Sequence, residues 1–527
     1  KPTSMTSSTA ASQGMSLNWL RKGWRRTLRK EQTVADNILI LGNGFDLAMG
    51  RKTSYEDFLR FSNAVNLLFS YVIRDINLSD SNLINIVEEK LSHFILELDE
   101  LVLTVTDNDF YDELESYRNL SDSKKYGLLS EKLSSKLISF RDDINTFLKY
   151  NDFVNGAFQL EILNEIKEWH TKQTMCLGFD IPTIFDLLRL SSEKDAVWLS
   201  KIHENLFINY INQNKEHLGK NWSSIELVIS DIAEAIREIK LNPESLSRIF
   251  SAEDRVELEL IKKSFRFKEN YNAYQFVCDS IFEIRSRNRF VSAMRLIDDF
   301  NESAISALEQ ITEYLEFYLS YLDKLDFEKD SLVLNNKSFL TSIPNLESAK
   351  IITFNYTDTA SKLLGIPQDN THFIHGKTDF LREENTINTM VFGIEDKESD
   401  HKSINSDLIP YHKYYQRIVK ETGNYYEQFF NLTRDGLYPI PKNIIVFGHS
   451  VDPLDKEIFQ NCFKLAEEKS GGYKFIFSYH DDWAKRSIIK NLAIILGKQK
   501  LISFTGEQKI AFVKSDDKVR MQDELLE

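Results

Sequence analysis

The stretch Asn37-Ile38-Leu39-Ile40-Leu41-Gly42-Asn43-Gly44-Phe45-Asp46 decides the fold. A short apolar run without polar alternation reads as a strand buried on both faces, the usual state of a parallel strand. It turns at once into two glycines, as a buried parallel strand does where it ends in a ligand loop. Gly42 and Gly44 let the backbone come close to a phosphate or ribose, while Asn43 and Asp46 sit where ligand groups meet strand C-termini. Taken alone, the stretch also fits a plain tight turn, because a full dinucleotide fingerprint needs a third glycine and a close helix start. After Gly50, Thr53 and Glu56 have the spacing of a capping box, and Tyr55, Phe58, Leu59 and Phe61 supply the apolar side of a helix.

From about Lys350 similar runs return, each bounded by Gly, Pro, Asn or Asp: Ile351 to Phe354, His372 to Ile374, Val391 to Ile394, Ile444 to Phe447 and Phe475 to Tyr479. Helical stretches follow, notably Asp455 to Glu468 and Trp483 to Leu496, which gives the strand, loop, helix rhythm of a parallel sheet. Between about 65 and 335 the character is helical instead. Ile84, Val87, Leu91, Phe94, Leu98, Leu101 and Val105 step by three and four, and so do Ile297, Phe300, Ala304, Leu308, Ile311, Leu315, Tyr318, Leu322 and Leu325. Such stripes read as a helical-bundle core rather than a cofactor box. A sheet needs neighbouring strands, so the Asn37 strand belongs with those after 350. The expected fold is α/β: a parallel-sheet core (36–64 and 341–515) split by a large all-α helical insertion (65–340), with an N-terminal tail (1–35) and a charged C-terminal tail (516–527).

The chain has 527 residues, 65 Lys+Arg against 80 Asp+Glu and a formal net charge of -15, so a broad phosphate-binding surface and a nucleic-acid partner are not expected. Cys176, Cys278 and Cys462 lie in no ligand spacing, which implies neither a disulfide framework nor a structural zinc. With no membrane-length apolar run and no signal region, a cytoplasmic protein is expected. Residues 1 to 14 are Ser/Thr/Ala-rich and are set aside, with Met15 a plausible native start. Residues 17 to 30 interleave Leu17, Trp19, Leu20, Trp24 and Leu28 with Arg and Lys. They read as an N-terminal helix packed on the acidic body, with weak membrane contact or partner docking as the alternative. The long heptad-like stripes make a homo-oligomer, or a protein partner, an expectation.

Polar clusters follow several of the strands. Asn355, in Thr353-Phe354-Asn355-Tyr356-Thr357-Asp358, can hold a ribose hydroxyl or orient a water, or can serve as a cap. In His372-Phe373-Ile374-His375-Gly376, His375 at the strand end is the acid/base candidate and His372 is structural. Asp379 is the only carboxylate near that pair, so no metal site is assigned. In Phe447-Gly448-His449-Ser450-Val451-Asp452, Gly448 opens the backbone, Ser450 can bond a phosphate or ribose oxygen, and Asp452 or Asp455 can bond a ribose diol or cap the next helix. In Tyr479-His480-Asp481-Asp482-Trp483, an Asp reads as a helix cap.

Together, Gly42 to Asp46 with Thr53 to Phe58, Phe354 to Thr357, Ile374 to Gly376 and Phe447 to Asp452 resemble the AbiH family of bacteriophage abortive-infection proteins. That family in turn resembles, more distantly, the sirtuin-like NAD-binding fold, which implies a Rossmann-like core. On this likeness the loop from Gly42 to Gly50, including Asn43, Gly44 and Phe45, holds the diphosphate and nicotinamide ribose. Asn355 matches the catalytic Asn of the Gln-Asn-x-Asp motif, His375 the His of the His-Gly motif, and Ser450 the Ser of the Gly-Thr-Ser motif; Tyr356, Thr357, Gly448, His449 and Asp452 complete the expected binding set. Asn43 replaces Ala, Phe354 replaces Gln, Thr357 replaces Asp, and the four-cysteine zinc motif is missing, so protein deacylation is not expected. What remains is an antiphage abortive-infection effector that hydrolyses NAD at the nicotinamide-ribose bond, with Asn355, His375 and Asp46 catalytic, NAD as substrate and no prosthetic group. The alternatives are a non-catalytic nucleotide sensor and a metal-dependent nuclease or nucleotidase using His449, Asp452, His480 and Asp481.

Overall fold

Strand β1 (Asp36–Leu41) lies in the middle of a sheet, and every residue from Asn37 to Leu41 is buried. The computed structural model describes residues 35–67, 179–180, 183–184, 186–187, 199, 201–218, 225–264, 271–287, 292–328, 332–382, 386–394, 406–469 and 471–526. On one side β1 pairs in parallel with β2 (Lys350–Thr353), with Leu41 opposite Thr353, and on the other with β4 (Lys442–Phe447), with Leu41 opposite Phe447. Adding β3 (Thr371–Phe373), β5 (Tyr473–Tyr479) and β6 (Ile510–Lys514), the sheet runs β3-β2-β1-β4-β5-β6 with every pair parallel. This is the order of a doubly wound, Rossmann-like sheet, whose direction of winding reverses between β1 and β4.

The apolar runs carry no alternation because both faces of the sheet are covered. Ile38, Ile40, Ile444 and Val446 face a cluster with α11 (Lys456–Lys469) and α12 (Asp482–Leu496). Leu39, Leu41, Ile445 and Phe447 face the opposite cluster, which includes Phe45 and Met49. Each fully buried aliphatic side chain contributes about 2 kcal/mol.

Two elements differ from the sequence expectation. Val391 to Ile394 is not a sheet strand; it makes one isolated bridge, Ile394 to His412, and its Val391 N–H bonds the His375 carbonyl at 2.8 Å. Its apolar residues Phe392 and Ile394 are used elsewhere, buried in a helical cluster. The edge strand β6 was not anticipated. The segment from 516, read as a charged tail, holds α14 (Lys518–Glu524), whose first turn Asp517 caps through the Arg520 N–H at 2.9 Å and whose Met521 is buried against the sheet.

Between α2 (Tyr55–Leu67) and β2 every described element is helical. The principal ones are α3 (Leu206–Leu218), α4 (Ile225–Leu241), α5 (Pro243–Ser251), α6 (Arg255–Ser264), α7 (Tyr271–Arg287) and α8 (Ala293–Glu328). The stripe from Ile297 to Leu325 lies on α8, a single helix of 36 residues, and is buried except for the half-buried Leu325. The stripe from Ile84 to Val105 and the basic segment 17 to 30 lie outside the described residues. Phe58 and Phe61 of α2 pack into the same cluster as α8, which ties the helical body to the sheet's first loop.

Candidate functional site

A cleft of about 430 Å³ opens at the C-terminal ends of β1, β2 and β4, the switch point where doubly wound sheets bind ligands. It is lined by the loops that follow these strands, by His375 after β3, and by the helical body through Glu226 of α4 and Leu315 and Leu319 of α8. The cleft brings together Gly42, Asn43, Gly44, Asp46, Asn355, Tyr356, Thr357, His375, Gly448, His449, Ser450 and Asp452. Of the residues in the implied NAD-binding set, Phe45 points elsewhere: it is fully buried under the sheet, edge-on to Phe447 at 6.0 Å.

The glycines serve loop crossing first. Gly44 N–H donates to the Gly448 carbonyl at 2.8 Å, and a Cβ on Gly42 or Gly44 would stand 2.7 Å from that oxygen. Gly448 has φ +68°, and a Cβ there would stand 2.1 Å from the Phe45 nitrogen. Both ends of the Asn43 amide are held by Thr53: Nδ2 donates to its carbonyl at 3.0 Å, and Oδ1 accepts from its hydroxyl at 2.6 Å. With the Thr53 hydroxyl taken, the helix cap falls one residue later than expected. Ser54 accepts from the Asp57 N–H at 3.1 Å, the first half of a capping box, while its hydroxyl donates to the Asp57 carboxylate at 2.6 Å.

Asp46 is 1% exposed, and burial pushes its carboxyl up to about 6 although Arg51 and the Thr357 hydroxyl oppose the shift. Oδ2 accepts from Thr357, Thr357 accepts from Thr359 at 3.1 Å, and Thr359 accepts from Arg51 Nη1 at 2.5 Å. Arg51 continues to Asp323 at 2.5 Å and Asp326 at 2.7 Å on α8.

Asn355 donates Nδ2 to the Gly42 carbonyl at 3.1 Å, which fixes the amide with Oδ1 as its open acceptor. His375 Nε2 lies 3.1 Å from Asp455 Oδ1. Burial pushes the imidazole down to about 4 against the pull of Asp455, so at neutral pH it is uncharged, donates from Nε2 and keeps Nδ1 open. His449 reaches the other Asp455 oxygen at 3.4 Å, and its Nδ1 accepts the Val451 N–H at 2.8 Å. Val451 holds that bond with φ +55°, a left-handed conformation unusual for a β-branched residue. Phe354 packs between the two imidazoles, with ring centroids at 5.5 Å and 4.3 Å.

Asp455 is the hub. Burial would raise its carboxyl, but Lys413 at 3.6 Å and the two imidazoles hold it well below the usual carboxylate range. Lys413 also meets Glu226 at 3.2 Å, where burial pushes the glutamate up against the opposing ammonium. The Tyr55 and Tyr356 hydroxyls are hydrogen-bonded beside them, and Tyr356 donates to the Val391 carbonyl at 2.8 Å. Asp452 spends Oδ1 on the Leu454 N–H at 3.0 Å, a capping bond, while Ser450 is exposed.

Sequence reasoning placed Asn355, His375 and Asp46 but missed Arg51, Lys413 and Glu226. None of the three belongs to a recognisable motif, and only their burial, which sequence does not display, marks them. His480 and Asp481 do not line the cleft; Asp481 caps α12 through the Ala484 N–H at 2.7 Å. Among the described residues no group of three His, Cys, Asp or Glu side chains is placed to hold a metal ion, and no described helix is long and apolar enough to cross a membrane. The model of one protein family, described as bacteriophage abortive infection AbiH, matches residues 38–477. No curated protein and no solved structure matches the chain.

Proposed function

Given that the chain belongs to the AbiH family, we propose that it acts in abortive infection by hydrolysing NAD at the nicotinamide-ribose bond, using a core split by the helical residues 65–340. One observation carries this reading. Asp46 Oδ1, Asn355 Oδ1 and His375 Nδ1, on three cleft-lining residues from three different strand ends, are buried and make no hydrogen bond. Buried polar atoms are nearly always satisfied, and although such atoms occur elsewhere in the fold, these three share one cleft, which suits them to a ligand. The distant likeness to the sirtuin-like NAD-binding fold belongs to the same reading.

The reaction is a displacement by water. The electron pair of the C–N bond leaves with nicotinamide, and positive charge develops on the ribose. The Asp46 carboxylate and Asn355 Oδ1 offer negative potential to that charge from buried positions in the cleft wall. Asn355 Oδ1 also suits a hydrogen bond from the attacking water. His375 Nδ1 takes the water's proton, and Asp455 steadies the imidazolium that forms. The products are nicotinamide, ADP-ribose and a proton.

NAD turnover by purified full-length protein, compared with Asn355→Ala and His375→Ala, tests this. Loss of turnover by about 100-fold or more in both variants supports the assignment, and unchanged rates in both defeat it. The sensor reading also has an observation behind it: Glu226, Leu315 and Leu319 place the helical body in the cleft wall. Calorimetry that finds NAD or ADP-ribose bound with no product formed selects that reading.

A further inference from the structure

The Arg51 side chain is fully buried, and its guanidinium meets Asp323, Asp326 and Thr359. A guanidinium only donates, so the Thr359 oxygen accepts from it, and the Thr359 hydroxyl donates towards Thr357 at 3.1 Å and also acts weakly on Asp46 itself. Thr357 therefore has one hydrogen left, which goes to Asp46 Oδ2. The bonds run from cation to carboxylate.

We infer that Arg51 is a positioning residue for Asp46: acting through Thr359 and Thr357, it pins Oδ2 as a permanent acceptor and leaves Oδ1 as the one atom of that carboxyl able to exchange a proton or meet a cationic substrate. This rests on the role proposed above for Asp46, but the relay itself does not depend on what the substrate is. The same guanidinium ends on α8, so the helix that supplies Leu315 and Leu319 to the cleft also holds the far end of the relay. Lysine cannot replace it, because a single ammonium lacks the planar fork that reaches two carboxylates and a hydroxyl at once.

The groups facing Asp46 are Arg51 from its own loop, Thr357 from the loop after β2, Thr359 from the start of α9 (Thr359–Leu364), and Asp323 and Asp326 from α8, with Lys362 of α9 3.8 Å from Asp323. Burial favours the protonated carboxyl, while Arg51 and the hydroxyl chain favour the ionised one. Thr357 is the stronger donor to the carboxyl and Thr359 the weaker, so removing the Thr357 hydroxyl raises the carboxyl's affinity for a proton more than removing that of Thr359 does.

The test is an infrared titration of the carboxyl band in full-length, nucleotide-free protein, with Asp46→Asn as the blank. Thr357→Val removes the last donor and is expected to move the titration up by about one pH unit, roughly tenfold in proton affinity. Thr359→Val, which leaves the Thr357 hydrogen in place, should move it less. Thr357→Ser, which keeps the hydroxyl, should restore it, separating the relay from simple loss of packing. Equal shifts in the two valine variants, no shift in either, or no band removed by Asp46→Asn would overturn the inference. NAD turnover measured on the same samples keeps the two ideas apart: graded shifts without turnover defeat the hydrolase reading alone, and turnover with ungraded shifts defeats the relay alone.

Discussion

The Asn355 side-chain amide donates to the Gly42 carbonyl across 3.1 Å, joining two strand ends 313 residues apart in the chain. That carbonyl only accepts, so Asn355→Asp can keep the bond only while it carries a proton. The folded state then holds the carboxyl's pKa above its unfolded value, about 4. Stability of Asn355→Asp, present below that value, is expected to fall as pH rises through the folded pKa, to a loss of about 2 kcal/mol near neutrality. Urea unfolding of the variant and wild type across this range checks it, and a pH-independent difference would contradict it.

Gly448 is required twice over, by its φ of +68° and by the 2.1 Å that would separate a Cβ from the Phe45 nitrogen. Gly448→Ala is expected to cost about 4 kcal/mol or more. Gly365→Ala is the control, since φ there is +66° but nothing lies within 4 Å; only the conformational cost remains, about 1 kcal/mol. Thermal unfolding of the pair separates the close approach from the dihedral angle, and similar losses would mean the two loops can move apart.

Lys413 is the cation between Asp455 and Glu226. Lys413→Met leaves two buried carboxylates facing each other and is expected to lower stability by roughly 3–5 kcal/mol. The added Glu226→Gln should recover part of that loss, because it removes one of the two stranded charges. A double variant no more stable than the single one would show that Glu226 was already uncharged.

Burial holds His372 and His375 down to about 4 and pushes Asp46 up to about 6. Between these values the two histidines give the unfolded chain two extra protons and Asp46 gives the folded chain one, a net of at most one proton on the unfolded side, since burial also raises Glu226. Stability should therefore rise with pH across this window, by up to ~1.4 kcal/mol per pH unit, and Asp46→Asn should steepen the rise by removing the opposing group. Turnover should rise through about pH 6 as Asp46 ionises. Unfolding free energies at closely spaced pH values read the first effect directly, and a slope that Asp46→Asn leaves unchanged would contradict it.

The strands were legible because a run such as Ile38 to Leu41 can be apolar throughout only if both of its faces are covered. The convergence of Asn355, His375 and Asp46 followed from the same logic, since parallel strands end on one side. The Thr53 cap was misplaced because sequence spacing does not show that Asn43 has already taken that hydroxyl. Val391 to Ile394 has the composition of a strand, yet its apolar side chains are spent on the helical cluster. Arg51 and Lys413 were illegible for a different reason. Each is buried by carboxylates from remote elements, and a buried ion pair looks in sequence like any solvated charge.

The strand order also sets a timetable. β1 is made first, but both of its neighbours, β2 and β4, are translated only after all the described helices of residues 201–328. Until then no parallel partner exists for it, and pairing over such separations is slow even afterwards. A ribosome that has not yet passed Asp455 carries a polypeptide without its cleft. For a chain proposed to consume a nucleotide its own cell needs, this order of manufacture keeps the unfinished product harmless.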